Sequence, residues 1–309
     1  MKSFAKLALL SLAISFCFSY STVHAATSPS LGQADTFVIL SNTYTNTAPG
    51  TTLNGDLGYT VPPATAPTVN GSVHAADSTY NQAGIDQGTA LVALNNQPCT
   101  FSFAPGAINL ATDTTHGPVG VYTPGVYCVT GAASIGGGAT ITLDGAGTYI
   151  FRMDGALNTS ANSVVTLANG ASACDIWWTP TAATTLGADS TFIGTDIDAS
   201  GITIGNNVTW TGKALAFGGT VSTDVDTITA PDCSTTPDDD DDDSTPDDTS
   251  GTGGDDTSSN SGSESLANTG TNMENITVFS SLLIVIGLGI YLIRKDILTS
   301  IFHSLTNKA

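Results

Sequence analysis

The chain has 309 residues, 27 acidic against 7 basic side chains, and a formal net charge of −20. From residue 27 to residue 233, fourteen aspartates and no glutamate accompany two permanent bases, Arg152 and Lys213. A chain this acidic repels nucleic acid, anionic lipid and phosphate-rich partners. We therefore expect no nucleic-acid partner.

The first 25 residues have the pattern of a secretory signal peptide. Lys2 and Lys6 come before the apolar run LALLSLAISFCF, and small residues follow around Ala25 and Ala26. A charged start, an apolar stretch and a small-residue cleavage site together are typical of such a leader, with a short membrane anchor as the alternative. The pattern predicts an exported chain whose folded domain occupies residues 27–233.

A segment at residues 51–60, before a helical pattern that begins near residue 75, indicates an additional repeat. The sequence TTLNGDLGYT at residues 51–60 is similar to TTLGADSTF at residues 184–192. The second of these belongs to a repeated region described below. We therefore expect the chain before the helix to contribute an extra coil to the same architecture.

Residues from about 75 to 95 show the one convincing helical pattern of the domain. The apolar residues that fall on one side at helical spacing are Ala76, Tyr80, Ala83, Leu91 and Leu94. Pro98 is a suitable stop just beyond the pattern. The spacing predicts a helix with one packed side.

Four cysteines remain in the predicted exported domain: Cys99, Cys128, Cys174 and Cys233. An even number of cysteines in an oxidising compartment predicts two disulfides. Their spacings match no compact zinc site, so we expect no metal centre. The sequence leaves all three pairings open.

From residue 126 the chain cycles through three short strand-like pieces separated by small-residue bends. The first piece reads ASI, LNT, TTL, ITI and VST, and the second reads TITL, VVTL, STFI, VTWT and DTIT. The third reads YIFRM, DIWW, TDID and KALAF. Three strands in each coil of roughly eighteen to twenty-six residues predict a β-solenoid with a triangular section.

Strict alternation along each strand places one residue inside the solenoid and the next outside. In the first piece the expected outward residues are Ser134, Asn158, Thr185, Thr203 and Ser222. In the second piece they are Thr140, Thr142, Thr166, Thr191, Thr209, Thr211, Thr227 and Thr229. The third piece is apolar on both sides and must be covered, so we expect the helix to lie on it.

The domain lacks the residue patterns of the common catalytic sites. Its histidines, His74 and His116, lie far apart, and no Ser-His-Asp set, glycine-rich phosphate loop or metal spacing is present. A polysaccharide-cleaving solenoid would need clustered carboxylates or basic side chains at the reacting sugar. We expect neither enzyme activity nor a cofactor.

Several segments resemble the ice-binding protein family of microbes from cold habitats. They are LGQADTFVILSNTYTNT with NGDLG, VNGSVHAAD, TPGVYC, GTYIFRM, NGASACDIWW and GKALA, between about residue 31 and residue 229. The resemblance implies an all-β fold, a right-handed discontinuous β-helix with one α-helix packed along one face. It also implies that one flat face adsorbs to the surface of an ice crystal and inhibits its growth and recrystallisation.

The resemblance also suggests where ice would bind. Some members carry a Thr-Ala/Gly-x-Thr/Asn motif, which TAAT at residues 181–184 fits fully and TTLN at residues 51–54 fits in part. In this family the ice face follows the helix-covered strand in chain order, which selects the first piece. The resulting candidate residues are Thr52, Asn54, Thr181, Thr184, Thr185, Thr203 and Ser222. The alternative is that threonine occurs at these positions only because it favours β-strands on a solvated face.

The composition changes sharply after residue 233. Residues 234–265 are rich in Asp, Ser, Thr, Gly and Pro without a large apolar residue, which predicts a disordered linker. Residues 276–293 form an uncharged apolar run long enough for a marginal membrane helix. Arg294 and Lys295 follow it, so residues 294–309 are expected to be a short cytoplasmic tail.

A short motif between the linker and the apolar run offers a second mode of attachment. LANTG at residues 266–270 resembles a sortase sorting signal, although the tail beyond Lys295 is longer than such signals usually have. A sortase would cut between Thr269 and Gly270, whereas an uncut chain would stay anchored by its membrane helix. Both modes predict an extracellular domain tethered to the cell surface.

Together these patterns predict a surface-anchored ice-binding protein. The alternative is an adhesin or structural module of the same fold that binds glycan, mineral or another cell, without ice activity.

Overall fold

A computed structural model describes residues 25–233 of the chain. The predicted signal peptide up to residue 24, the linker, the sorting motif, the membrane span and the cytoplasmic tail lie outside these residues. Within residues 25–233, no helix combines the length and the apolar character needed to cross a membrane.

The described residues contain eighteen strands, one α-helix and two short 3-10 helices. The strands are β1 (Phe37–Asn46), β2 (Thr52–Asn54), β3 (Asp56–Tyr59), β4 (Thr68–Val69), β5 (Val73–Ala75), β6 (Phe101–Ser102), β7 (Ile108–Asn109), β8 (Val121–Tyr122), β9 (Gly125–Val129), β10 (Ala133–Ile135), β11 (Thr140–Asp144), β12 (Tyr149–Thr159), β13 (Val164–Ala168), β14 (Ile176–Leu186), β15 (Thr191–Ile197), β16 (Ile202–Ile204), β17 (Thr209–Thr223) and β18 (Thr227–Thr229). The helix α1 spans Ser78–Asn95, and the 3-10 helices are Gly32–Thr36 and Ala173–Asp175.

The strands stack in parallel as successive coils with three faces. Strand β12 shows the arrangement, because it pairs with β14 along most of its length, whereas on its other side its first half pairs with β9 and its end pairs with β10. The next strand, β13, pairs with β11 and β15 on the third face. Long strands therefore pass around a corner and contribute to two faces, and the predicted solenoid with three faces is confirmed.

The N-terminal coil lies next to the last C-terminal coil. Ile39 is in register with Ala214, and strand β2 pairs with β18 through Leu53 and Ile228. Strands β3, β4 and β5 extend the stack beyond that coil. The predicted extra coil from before the helix is confirmed, and the order of coils along the axis differs from their order in the sequence.

Helix α1 packs along one face of the stack. Its buried residues are Tyr80, Ala83, Gly84, Gln87, Ala90 and Leu94, and their apolar side chains pack with those of Leu40, Ile150, Trp177 and Leu215 on the strands. With 18 residues, the helix is about 27 Å long, enough to cross roughly six strands spaced about 4.8 Å apart. The prediction that the helix covers the third piece of each cycle is confirmed.

The helix begins later than the sequence pattern suggested. Its N-cap is Asp77, whose carboxylate accepts a hydrogen bond from the backbone N–H of Tyr80 at 2.8 Å. Ala76 lies before the cap with a positive φ of 52° and is exposed, and Leu91 is only half-buried. The expectation that these two residues belong to the packed side of the helix was wrong for Ala76 and holds only in part for Leu91.

Aromatic side chains fill the interior of the solenoid along its axis. Phe151 stacks on Trp178 with ring centroids 4.3 Å apart, and Phe192 lies 5.2 Å from Trp178 and 5.1 Å from Trp210. All four side chains are buried. Because each ring comes from a different coil, the stack joins successive coils into one rigid core.

Two disulfides connect parts of the chain that are distant in sequence. Cys99 pairs with Cys128, which joins the segment after the helix to strand β9. Cys174 pairs with Cys233, whose sequence separation is 59 residues. The two predicted bridges are therefore present, and the pairing that the sequence left open is 99–128 with 174–233.

Candidate binding faces

The two faces without the helix are the candidate binding surfaces. The first open face follows the helix-covered strand in each coil and consists of β7, β10, β16 and the C-terminal ends of β1, β12, β14 and β17. The second open face comes next in each coil and consists of β2, β4, β8, β11, β13, β18 and the N-terminal ends of β15 and β17.

One outward residue from each coil forms a continuous ladder down the first open face. In register order the ladder is Asn109, Ser134, Asn158, Thr185, Thr203, Ser222 and Thr45. All five residues predicted to point outward from the first piece belong to it, and Asn109 and Thr45 extend it. Alternation along the strands therefore gave the correct orientation.

Members towards the ends of this ladder use their hydroxyl groups within the fold. The Ser134 hydroxyl donates to the Ile108 carbonyl at 3.0 Å, and the Thr45 hydroxyl donates to that of Ser222 at 2.7 Å. Three central members are exposed and have no side-chain hydrogen bond to any residue of 25–233: Asn158, Thr185 and Thr203. The centre of the first open face therefore has polar groups free to bind water.

Thr184 does not belong to this surface. Its side chain is fully buried, because alternation in β14 puts residue 184 on the opposite side of the strand from Thr185. Its backbone N–H donates to Asp198 at 2.8 Å, and its hydroxyl lies in the interior near the buried carboxyl groups of Asp196 and Asp198. Thr181 is exposed near the corner, where its carbonyl accepts from Ser200. The candidate site is corrected accordingly, since Thr184 cannot contact an external ligand.

The second open face carries two ladders rich in threonine. The first ladder is Thr140, Val164, Thr191, Thr209, Thr227, Thr52 and Thr68, in which six of seven residues are threonine. Two residues further along the same strands, the second ladder contains Val121, Thr142, Thr166, Ile193, Thr211, Thr229 and Asn54. The sequence predicted the outward threonines of these strands correctly.

The candidate residues taken from the family motif are divided between the two faces. Thr52 and Asn54 lie on the second open face, where Asn54 donates to the Thr229 hydroxyl at 2.9 Å. Thr185, Thr203 and Ser222 lie on the first. The structure therefore does not bring the seven candidates together into one site.

Neither open face carries a charged residue in its ladders, and both permanent cations of the domain lie elsewhere. Lys213 is buried and pairs with Asp35 at 2.9 Å. Arg152 donates to the backbone carbonyls of Asn95 and Gln97 at 2.5 and 3.1 Å. Because these bonds hold the helix and the N-terminal segment in place, both cations have structural roles.

Three buried aspartates lie at or near the corners between faces. Burial raises the pKa of Asp226 to about 6, although its carboxylate accepts the N–H groups of Val208 and Asp224 at 2.8 and 2.7 Å. Burial also raises the pKa of Asp198, and raises that of Asp196 well above its usual range. The Asp196 carboxyl is fully buried, and burial favours its neutral form over its charged form in the folded state.

The fold and its two open faces define a class of protein, the β-helix domain with one packed helix and flat hydroxyl-bearing surfaces. The model of the ice-binding-like family matches residues 39–229. The chain therefore belongs to the ice-binding-like family.

Relatives support this membership along most of the domain. The ice-binding protein of Flavobacterium frigoris (strain PS1) is 29% identical over 65% of this chain and 76% of its own length. Ice-binding protein K3-B1 of Typhula ishikariensis is 30% identical over 64% of this chain and 86% of its own length.

Solved structures agree with the fold. The crystal structure of an ice-binding protein from the Antarctic ascomycete Antarctomyces psychrotrophicus has a TM-score of 0.58 at 29% identity, covering 66% of this chain and 98% of that one. One from an Antarctic biological consortium has a TM-score of 0.59 at 28% identity, covering 68% and 94%. The β-helix with a single packed helix, predicted from the sequence, is confirmed.

Proposed function

We propose that this protein adsorbs to ice through its first open face and is displayed outside the cell. The observation that carries the proposal is the ladder of aligned polar side chains on that face, in a chain of the ice-binding-like family. The relatives described above are themselves named ice-binding proteins.

The physical basis of adsorption is the sum of many weak contacts made by a rigid surface. Parallel strands hold the ladder residues about 4.8 Å apart, and the branched side chain of threonine has few rotamers in a strand. Little conformational entropy is therefore lost when the face binds ordered water. The stacked aromatic core and the two disulfides supply the rigidity.

Measurements on the isolated domain test the ice-binding part of the proposal. Residues 25–233 contain the hydrophobic core inside the solenoid, the hydrophobic cluster under the helix and both disulfides. This domain is therefore suitable for assays of thermal hysteresis and ice recrystallisation. Thr185→Tyr and Thr203→Tyr should each reduce activity severalfold, because a bulky ring interrupts the centre of the flat ladder. Thr89→Tyr, on the exposed side of the helix, is the matched control and should retain full activity.

A folded but inactive parent would overturn the ice-binding proposal. The domain would then be an adhesin or structural module of the same fold, and binding to glycan arrays, mineral particles or intact cells would be the next assay.

Export and tethering form a separate part of the proposal. The leader pattern and the two disulfides favour an oxidising compartment outside the cytoplasm. Fractionation of cells that express the full chain tests the mode of attachment. A membrane-bound chain with an intact C-terminus supports the helical anchor, whereas a wall-linked chain ending at Thr269 supports sortase cleavage. A cytoplasmic chain that retains its leader would contradict both.

A further inference from the structure

The disulfide between Cys99 and Cys128 lies against Arg152, at the end of helix α1 and away from both open faces. We propose that this bridge is a site of covalent modification, at which a small thiol carrying an ammonium group becomes attached to Cys99. The inference goes beyond ice binding and does not depend on it.

Arg152 reaches both sulfur atoms of the bridge from strand β12. Its Nη2 donates to the Sγ atoms of Cys99 and Cys128 at 2.9 and 3.0 Å, and its Nη1 donates to two backbone carbonyls at the end of helix α1 and just beyond it. Although the domain has fourteen aspartates, no carboxylate of residues 25–233 forms an ion pair with this guanidinium. A cation without an acidic partner is therefore held directly on the disulfide.

Opening of the bridge by an external thiolate creates an anion beside this cation. Cys99 is exposed and Cys128 is half-buried, so the thiolate attacks Sγ of Cys99. A new S–S bond forms there, the bond between the two cysteines breaks, and its electron pair leaves on Sγ of Cys128. The positive charge of Arg152 stabilises this thiolate, which makes it a better leaving group. The incoming thiol gives up its proton to water before the attack, and no further oxidant or reductant is needed.

Other bonds hold the fold around the bridge. The N–H of Thr100 donates to the carbonyl of Val126 at 2.8 Å, and the N–H of Phe103 donates to the carbonyl of Cys128 at 3.0 Å. Strand β6 also pairs with β9. Because these bonds join the same two segments as the disulfide, the segments stay together when the disulfide opens. Cys99 then carries the attached group on a folded domain.

The surroundings of the bridge select the class of thiol. A cavity of about 400 Å³ is lined by both cysteines, Ser102, Arg152 and Asp154. Arg152 attracts the negatively charged sulfur of the incoming thiolate, and the exposed carboxylate of Asp154 attracts an ammonium group. A small thiol with an ammonium group therefore fits this site better than an anionic thiol does.

The second disulfide provides an internal control. Each of its cysteines, Cys174 and Cys233, has an aspartate as a sequence neighbour. Lys213 lines the cavity beside this bridge, but its ammonium group is already held in an ion pair. A thiolate released there gains no comparable stabilisation, so this bridge should open more slowly than the first.

Limited treatment of the full chain with cysteamine tests the inference. Freed thiols are alkylated at intervals, and mass spectrometry of the peptides shows which bridge has opened and which cysteine carries cysteamine. The 99–128 bridge should open about tenfold faster than the 174–233 bridge, with cysteamine on Cys99. Equal rates for the two bridges, or cysteamine mainly on Cys128, would overturn the proposal. This comparison needs no variant.

Substitutions of Arg152 separate stabilisation of the thiolate from support of the fold. Arg152→Lys keeps the positive charge and should retain most of the rate, whereas Arg152→Gln removes the charge and should slow the opening of the 99–128 bridge about tenfold. The rate of the 174–233 bridge should stay the same in both variants. If Arg152 only held the segments together, its loss would expose the bridge, so faster opening in Arg152→Gln would contradict the proposal.

The class of thiol is tested with mercaptoethanesulfonate, an anionic thiol of similar size to cysteamine. At equal thiolate concentration it should open the 99–128 bridge severalfold more slowly than cysteamine does, and Asp154→Asn should reduce this difference. A difference that Asp154→Asn leaves unchanged would contradict the assigned role of this carboxylate in selecting the ammonium group.

Discussion

The helix-covered face and the second open face are built from the same coils, with the same parallel pairing and the same buried interior. They differ in what the outward positions carry. Under the helix these positions are apolar, such as Ile150, Trp177 and Leu215, and they pack in a second hydrophobic cluster. On the second open face the equivalent positions are mostly threonine. The outward side chains therefore distinguish a face that packs against the helix from a face that stays exposed to solvent.

The largest effect on stability is expected when the contact between the helix and the strands it covers is weakened. Leu94→Ala takes a fully buried side chain out of the helix interface, and we expect a loss of about 2–5 kcal/mol in the free energy of unfolding. Val92→Ala, on the exposed side of the same helix, should change it by less than about 0.5 kcal/mol. Denaturant unfolding of both variants measures the difference. Equal effects would mean that the helix is not held by this contact.

A smaller disturbance tests how closely the helix approaches the strands. A Cβ added to Gly84 would lie 2.4 Å from the ring of Phe217, so Gly84→Ala should cost about 1–3 kcal/mol of stability. One turn later, Gly88 has nothing within 4 Å. Gly88→Ala should therefore stabilise the helix, by up to about 1 kcal/mol. Opposite signs in thermal melts are the expected result, and a stabilising Gly84→Ala would rule out close packing there.

The corners between faces should respond to pH. Burial raises the folded-state pKa of Asp226 to about 6, above the ordinary value of an aspartate side chain, so the folded state binds this proton more tightly than the unfolded chain does. The stability it contributes is complete below about pH 4 and is lost as the pH rises through about 6. Burial shifts Asp196 and Asp198 in the same direction. The melting temperature should therefore be higher at pH 4.5 than at pH 7.5.

Two matched variants test whether the buried Asp226 contributes to this pH dependence of the melting temperature. Asp226→Asn should reduce the change between pH 4 and pH 7, because Asp196 and Asp198 still contribute, whereas Asp154→Asn, at an exposed position, should leave it intact. Measurements stop at about pH 4, because the lowered pKa values of Asp77 and Asp113 act in the opposite sense in more acidic solution. A parent whose melting temperature is constant from pH 4 to pH 7 would contradict the burial of these groups.

The smallest effect on stability is expected on the open face itself. Thr209→Val and Thr227→Val keep the branched shape and replace exposed hydroxyls, so each should change the free energy of unfolding by less than about 0.5 kcal/mol. A large loss of stability would show that these side chains have a role in the fold.

The orientation of the strands could be predicted because it depends on local alternation. Thr209 and Trp210 point to opposite sides of the strand whatever lies next to them, so the period of two was sufficient. The same holds for Thr185 and Leu186. The start of the helix also had a local signal, since Asp77 is a favoured N-cap residue three positions before Tyr80.

Which residues lie together in the candidate site could not be predicted from local alternation. Thr45 joins the first ladder because the N-terminal coil stacks on the C-terminal one, which places it beside Ser222, 177 positions later in the chain. No local pattern contains that neighbour. The motif at residues 181–184 spans a corner, so Thr181 and Thr184 point to different environments. The motif alone therefore cannot define a surface.

The bridge between Cys174 and Cys233 has a mechanical consequence. Strand β18 ends just before Cys233 and lies within the stack, held between β17 and β2. A force applied through the residues after 233 would otherwise peel β18 from both neighbours. The disulfide instead passes the tension directly to Cys174. The backbone of residues 175–232, which include much of both open faces, is therefore bypassed by this tension.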